Sequence, residues 1–210
     1  MKAMNHPRKT GRPLSFDREV VLHNAMLQFW AHGYETTSIN DLTAVMGVTA
    51  PSIYTAFGDK KHLFLEAVKR YAGEPLQAVQ IIEAAPTAWA AALDLLTSAA
   101  VGYTGCDTPH GCLLASAVAS CSAGAADVQA AITGIRGQIE TRLQAKIADA
   151  VSMGEVSTSA DPAILAATIM AVIQGMAILA RDGATREKLL AVAGATMAGW
   201  PAARAICGTD

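Results

Sequence analysis

Three side chains near the middle of the chain could bind a metal ion. Cys106, His110 and Cys112 offer two thiols and an imidazole, which are the soft ligands that thiophilic transition metals prefer. The same thiols could respond to oxidation instead. The spacing matches no standard zinc pattern, however, and a buried cysteine is commonly a small apolar core residue. We therefore expect neither a metal nor another cofactor, and a metal- or thiol-responsive site stays open as an alternative.

Motifs that mark the common enzyme classes are absent from the sequence. It contains no Gly-x-Gly-x-x-Gly, no P-loop, no Gly-x-Ser-x-Gly and no His-Glu-x-x-His. Four of the five histidines fall in the first third of the chain, where surface positions account for them. We expect a protein that is not an enzyme.

Residues 49–55 indicate a different chemistry, the recognition of nucleic acid. This segment carries small and hydroxyl-bearing side chains, where an ordinary solvent-exposed helix would carry charges. Small residues at the start of a helix allow its backbone to approach the edges of DNA bases, and hydroxyls can bond to bases or phosphates. The candidate contact residues are Thr49, Ala50, Pro51, Ser52, Tyr54 and Thr55.

The elements around this segment predict a helix-turn-helix. Asp17 can cap a first helix, and Ser38 with Asp41 forms a capping box for a short second helix that ends at Gly47. Thr49 can cap the third helix, and this arrangement places that helix in the major groove of DNA. The apolar periodicity predicts inner faces made of Leu22, Ala25, Met26, Phe29 and Trp30 in the first helix, Ile39, Leu42, Val45 and Met46 in the second, and Ile53 and Phe57 in the third.

Basic residues flank the helix-turn-helix on both sides. A fourth helix begins with Lys60–His62, and cations at a helix N-terminus oppose the helix dipole, so we expect a DNA phosphate nearby to favour them. The first 15 residues are a basic arm broken by glycine and proline, which could follow the phosphates or enter the minor groove. Its candidate DNA contacts are Arg8, Lys9 and Arg12.

The rest of the chain also predicts helices, several of them built from small side chains. Thr87, Asp161 and Thr185 can each cap a helix, and apolar residues recur at helical spacing from 128 to 147. Residues 162–180 carry no charge and approach the minimum length of a membrane span, but their many alanines favour a buried interface helix. We expect an apolar pocket among these helices, with the candidate walls Trp89, Tyr103, Cys112, Met170, Gln174 and Met176.

The run from residue 47 to residue 64 resembles the signature of the TetR/AcrR family of transcriptional regulators. The similarity extends over roughly residues 16–71, and the positions that carry it are Gly47, Tyr54, Phe57, Lys60 and Leu63. The resemblance implies that residues 49–55 form the recognition helix and that the last two helices build a four-helix dimer interface. It also implies that Thr37, Ser38, Tyr54 and Lys60 hold phosphates.

The sequence departs from the family's pattern at two positions. Ala50 stands where many members have Lys or Arg, and Ala56 stands where they have His or Tyr. Base recognition would then depend on Thr49, Pro51, Thr55 and the Ala50 methyl group, which can contact thymine methyls.

These observations predict an all-α protein with three parts. They are a basic flexible arm (1–15), an N-terminal three-helix helix-turn-helix DNA-binding domain (16–72) and a C-terminal helical domain (73–210) for ligand binding and dimerisation. Residues 1–72 contain nine Lys and Arg against six Asp and Glu, a net charge of +3, whereas residues 73–210 contain seven against twelve, a net charge of -5. This asymmetry favours a polyanionic partner at the front of the chain.

The function we expect is that of a cytoplasmic homodimeric repressor with no membrane partner. It would bind double-stranded DNA at a palindromic operator and be released by a small-molecule effector. Two alternatives stay open at this stage. One is a metal- or thiol-responsive regulator that uses Cys106, His110 and Cys112, and the other is a TetR-like protein-interaction module that does not bind DNA.

Overall fold

The computed structural model describes residues 16–74, 76–116 and 125–202, and its regular structure there is helical, as predicted. The described ranges contain ten helices and a single isolated bridge between Val156 and Ala202. The helices are α1 Arg18–His32, α2 Ile39–Met46, α3 Ala50–Phe57, α4 Lys60–Ala72, α5 Gln77–Ala84, α6 Ala88–Gly102, α7 Leu113–Ser116, α8 Ala126–Ser152, α9 Pro162–Arg181 and α10 Arg186–Ala198.

Local capping sets the first helices where the sequence predicts them. The Asp17 carboxylate accepts the backbone N–H groups of residues 19 and 20, and Ser38 and Asp41 form the reciprocal capping box of α2. Gly47 ends α2 in the left-handed region, with φ 65° and ψ 26°, a conformation that costs glycine nothing. Thr49 precedes α3, but its hydroxyl makes no cap to the backbone. The turn geometry therefore comes from the glycine and the capping box.

Helices α1 to α4 close around one apolar core. Phe29 of α1 and Phe64 of α4 are fully buried and meet edge to face, with ring centroids 5.0 Å apart. Leu42 and Ile53 bring α2 and α3 onto the same core. The prediction that Val45 belongs to the inner face is wrong, since this side chain is 40% exposed. Helix α2 has only two turns and packs against α1 and α3, so it buries a narrow stripe.

Helices α5 to α10 form the second unit. Helices α8 and α9 pack along each other, α6 contacts α5, α8, α9 and α10, and α5 also packs on α8. The fully buried side chains of this unit include Leu96, Ile132, Leu143, Met176 and Leu189.

Two contacts of charged side chains fasten the units together. The Arg181 guanidinium at the end of α9 donates to the backbone carbonyls of Trp30 and Ala31 at the end of α1, at 2.7 and 3.0 Å. Lys61 Nζ of α4 lies 2.6 Å from Asp127 Oδ2 at the start of α8. Because the last carbonyls of a helix have no partner within it, the first contact also satisfies the C-terminus of α1.

One face of α9 and α10 is apolar and uncovered in the single chain. Helix α9 is long and apolar enough to cross a membrane by length and composition, a test that the core helix of a soluble protein also passes. Ile164 and Ile178 are 63% and 62% exposed. We call this surface the α9–α10 face, and its exposed members are Ile164, Thr168, Ala171, Gly175 and Ile178 of α9 with Leu190, Ala191, Gly194, Ala195 and Ala198 of α10.

Candidate nucleic-acid interface and ligand cavity

Helix α3 presents its hydroxyl-bearing side to the outside. Ile53 and Phe57 point into the core and are 0% and 4% exposed, whereas Pro51, Tyr54 and Thr55 are exposed, Tyr54 by 49%. We call the outward residues of this helix and its N-cap the α3 ridge, and they are Thr49, Ala50, Pro51, Ser52, Tyr54 and Thr55. All of the candidates from residues 49–55 therefore lie on one element, and none of them is buried.

Hydrogen bonds within the α3 ridge limit what its hydroxyls can offer a base. The hydroxyls of Thr49 and Ser52 lie 2.9 Å apart and share one hydrogen bond. The Thr55 hydroxyl donates to the Pro51 carbonyl at 2.8 Å, so it keeps only its acceptor lone pairs and its methyl group for an outside partner. An acceptor of this kind matches the amino groups of adenine and cytosine, and a methyl group matches thymine.

The candidate phosphate contacts occupy different environments. Ser38 is exposed at the N-terminus of α2, where its hydroxyl lies 2.7 Å from Asp41 Oδ2. Thr37 is only 1% exposed and its hydroxyl donates to the Gly33 carbonyl at 2.7 Å, so its side chain is not available to a phosphate, contrary to the prediction. The threonine holds the loop between α1 and α2. The backbone amides at the start of α2 are the groups that face outward there.

The cations at the start of α4 have partners inside the protein. Lys60 Nζ lies 4.5 Å from the centre of the Tyr34 ring and 3.5 Å from the Glu35 carbonyl oxygen, and its partial burial lowers its pKa. Lys61 bonds to Asp127, which raises the pKa of Lys61, and His62 Nδ1 lies 2.9 Å from Asp59. Partners within the protein therefore account for Lys60 and Lys61 at this N-terminus, and the contact of Lys60 with a DNA phosphate stays a prediction. The candidates Arg8, Lys9 and Arg12 lie outside the described residues.

The sequence reasoning missed Arg18, which positions α3. Its Nη2 donates to both carboxylate oxygens of Glu66 of α4, at 2.9 and 2.7 Å, and its guanidinium carbon lies 4.4 Å from the centre of the Phe57 ring. It also donates to the Ala56 carbonyl at 3.4 Å. One side chain thus joins the start of α1 to α4 and to the end of α3. An arginine in the first turn of a helix opposes the dipole, and this was the signal that could have revealed it.

A cavity of about 270 Å³ lies between the two units. Its walls include four of the predicted pocket residues, Tyr103, Cys112, Met170 and Gln174. Trp89 is instead 45% exposed on the outside of α6, and Met176 is fully buried in the core away from the cavity, so neither lines it. The buried face of α6 consists mainly of alanine and leucine, and Trp89 in its first turn falls beside that face.

The front unit contributes two aromatic walls that the sequence reasoning did not select. Trp30 of α1 and Tyr71 of α4 meet edge to face with ring centroids 4.8 Å apart. The Tyr71 hydroxyl donates to Cys112 Sγ at 3.4 Å. Burial, followed by the neighbouring Cys112, raises the pKa of Tyr71 and of Tyr103, so both phenols stay neutral hydrogen-bond donors at physiological pH. A molecule in this cavity would touch α1, which packs against α2, and α4, which packs against α3.

The possible metal ligands do not converge. Cys106 and His110 are exposed, and the Cys106 thiol lies 3.5 Å from Asp107, whereas Cys112 is buried against Tyr71. Within residues 16–74, 76–116 and 125–202, no three His, Cys, Asp or Glu side chains are grouped so that they could hold a metal ion. The alternative of a metal-responsive regulator is therefore not favoured.

Comparisons with known proteins agree with this arrangement. Residues 21–67 match the family described as "Bacterial regulatory proteins, tetR family", and residues 90–193 match "Tetracyclin repressor-like, C-terminal domain". The HTH-type transcriptional repressor ComR of Escherichia coli (strain K12) is 34% identical over 193 residues, which are 91% of this chain and 92% of ComR. The uncharacterized HTH-type transcriptional regulator YezE of Bacillus subtilis (strain 168) is 46% identical over 61 residues, 29% of this chain and 31% of YezE.

A solved structure extends the likeness to three dimensions. It contains a cysteine mutant of the TetR family transcriptional regulator CifR in complex with a 26-bp double-strand operator DNA. The two chains superpose with a TM-score of 0.85 at 32% identity, over 91% of this chain and 100% of the other. The similarity therefore includes both units and the way they are joined.

Proposed function

Because the chain belongs to the TetR family of bacterial transcriptional regulators, we propose that it binds a palindromic operator as a homodimer and is released by a small molecule. It acts as a repressor in the cytoplasm, where the DNA lies. The observation that carries this proposal is the α3 ridge, a row of small and hydroxyl-bearing side chains on the outside of a helix whose other side is buried.

The contacts divide into those that position the protein and those that read sequence. The Tyr54 hydroxyl makes no hydrogen bond within the described residues, so it is available to a phosphate. Ser38, Lys60 and the first amides of α2 flank it as further phosphate contacts, and the arm residues Arg8, Lys9 and Arg12 extend the contact along the duplex. Thr49, Ala50, Pro51 and Thr55 face the bases, and the Thr55 methyl and lone pairs carry sequence preference.

In this proposal the α9–α10 face forms the dimer interface. It is formed by small and aliphatic side chains and is uncovered in the single chain, which is unfavourable in water. Small residues let two copies of the helices approach closely. A two-fold axis through this face would present two α3 ridges to half-sites about 34 Å apart, one turn of the double helix.

A ligand bound in the cavity would release the protein from the operator. Trp30 and Tyr71 belong to α1 and α4, whereas Met170 and Gln174 belong to α9 and thus to the helix that carries the α9–α10 face. A ligand that separates these walls changes the angle between the DNA-binding unit and the dimer axis. To move the protein from mostly bound to mostly free, it must favour the released arrangement by about 5 kcal/mol.

The proposal is tested by selecting bound fragments from sheared genomic DNA with the purified full-length protein. We expect the selected fragments to share a palindrome, and the affinity for it to fall steeply as salt rises because phosphate contacts release counterions. Tyr54→Phe should weaken binding to every sequence by about tenfold, the effect of one lost hydrogen bond to a charged group. Tyr103→Phe is the matched control, because this tyrosine lies in the cavity.

The result that would overturn the proposal is a protein that is folded and dimeric yet enriches no DNA sequence above competitor. That outcome would favour a protein-interaction module of the same fold.

A further inference from the structure

The cavity contains one charged side chain among the described residues that line it. This is Arg136 of α8, which is half-buried, and the other walls are apolar or carry neutral polar groups. No aspartate or glutamate lines the cavity within the described part of the chain. Arg136 is therefore the only formally charged group among the described walls of the cavity.

Arg136 differs from the other described arginines in its partners. Arg18, Arg70 and Arg142 each pair with a carboxylate, and Arg181 and Arg186 each donate to a backbone carbonyl. Among the described residues, Arg136 has only two long contacts, both to neutral groups, at 3.4 Å to Gln174 Oε1 and 3.5 Å to Thr133 Oγ1.

Two aromatic walls of the cavity also offer hydrogen-bond donors. Trp30 buries its indole N–H without an acceptor among the described residues. The Tyr71 hydroxyl donates to the Cys112 sulfur, which is a weak acceptor. Gln77 and Ser98 add neutral groups that can donate or accept, and no wall among the described residues carries a negative charge. A cavity with one guanidinium, a free indole N–H and no carboxylate is matched by a ligand that accepts hydrogen bonds and carries negative charge.

We propose that the effector is a small monoanionic carboxylate with an apolar body, held by a fork of hydrogen bonds from Arg136. This inference rests on the proposed role of the cavity as the effector site. A guanidinium binds a carboxylate through two parallel hydrogen bonds, and one cation balances one negative charge. A doubly charged phosphate would bring a second negative charge into a site that offers no second cation among its described walls.

The volume of the cavity limits the size of the apolar part of the ligand. Its volume of about 270 Å³ is just below the roughly 300–1,000 Å³ of sites for drug-sized molecules. Leu95, Ile139 and Ile173 provide apolar wall surface for the body. The ligand class is therefore a medium-length aliphatic acid or an acid with one aromatic ring.

The experiment compares octanoate, octan-1-ol and octan-1-amine, which have the same body and different head groups. Binding of each to the full-length protein is measured by titration calorimetry below the concentration at which the probes aggregate. The variants are Arg136→Gln, which removes the charge, Arg136→Lys, which keeps it, and Arg142→Gln, a control on the same helix that pairs with Glu83 outside the cavity. Operator affinity without probe and thermal stability are measured on the same four proteins.

We expect the wild type and Arg142→Gln to bind octanoate about 10- to 100-fold more tightly than the alcohol, with the amine weakest. Arg136→Gln should lose this preference while keeping its operator affinity, and Arg136→Lys should keep part of it. Equal binding of octanoate and octan-1-ol to the wild type, or binding of none of the three, would overturn the inference. If one of these results is obtained while the wild type still binds the operator, only the inference about the effector is wrong. If the wild type does not bind the operator, the proposed repressor function is wrong as well.

Discussion

The contact between Arg181 and the end of α1 predicts how the two units are held for DNA binding. The guanidinium donates to the carbonyls of Trp30 and Ala31, and the stem of the side chain packs close to Gly111. Arg181→Met keeps the stem and removes the donors. Hydrogen bonds to charged groups contribute about 1.5–3 kcal/mol when buried, and Arg181 is exposed, so we expect unfolding to become easier by about 1–2 kcal/mol.

The expected effect on operator affinity is larger than stability alone would give. Without the contact, the DNA-binding unit samples more orientations, and fewer dimers have both α3 ridges at the half-site spacing. We expect operator affinity, measured by fluorescence anisotropy, to fall about five- to tenfold, which corresponds to about 1–1.4 kcal/mol. Chemical denaturation gives the stability on the same samples.

Arg186→Met is the matched control for this prediction. Arg186 is also exposed and makes two hydrogen bonds, to the hydroxyl and the carbonyl of Thr104 at 3.1 and 3.3 Å, but both partners lie in the rear unit. It should cost similar stability and leave operator affinity unchanged. If Arg181→Met lowered stability and still bound the operator like the wild type, the contact would have no part in positioning the DNA-binding unit.

Three further substitutions test other parts of the structure. Thr55→Val keeps a methyl and removes the acceptor, so it should change affinity about tenfold for some operator bases and little for others in a binding-site selection; a uniform loss would contradict base contact. Ile178→Asp should give monomers by light scattering, whereas Met153→Asp, at a side chain that is 66% exposed elsewhere, should leave dimers; monomeric wild type would refute the assigned interface. Bonding to Lys61 lowers the pKa of Asp127, so the contribution of this ion pair to stability is present above about pH 4 and is lost as the pH falls through the folded-state pKa of Asp127. Asp127→Asn should therefore make the free energy of unfolding less dependent on pH in this acid range, and an unchanged acid-denaturation profile would exclude the ion pair as the source of that dependence.

Features encoded by neighbouring residues could be predicted from the sequence. Caps act over two or three positions, and those predicted at Asp17, Ser38, Thr87, Asp161 and Thr185 all accept backbone N–H groups at the start of their helices. Helix α5 gave no such signal, because Leu76 at its start makes no side-chain cap. The helix depends on its packing against α6 and α8.

Features that depend on contacts between distant residues could not be predicted in the same way. Arg181 and Trp30 are 151 positions apart, and the Arg18–Glu66 pair is 48 apart, so no local pattern connects them. The cavity joins residues of seven helices, and periodicity alone could not decide that Trp89 faces outward or that Arg136 faces in. The α3 ridge was predictable because a short helix with two buried positions leaves the others outside.

The uncovered face on α9 and α10 also affects how quickly repression can begin and end. If only paired chains grip the operator, the active species at low expression grows with the square of the chain concentration. Halving the chains during one cell division would then leave a quarter of the pairs, so a silenced promoter would reopen faster than the protein is diluted. An apolar surface that joins two chains would in this way also set the sharpness of a genetic response.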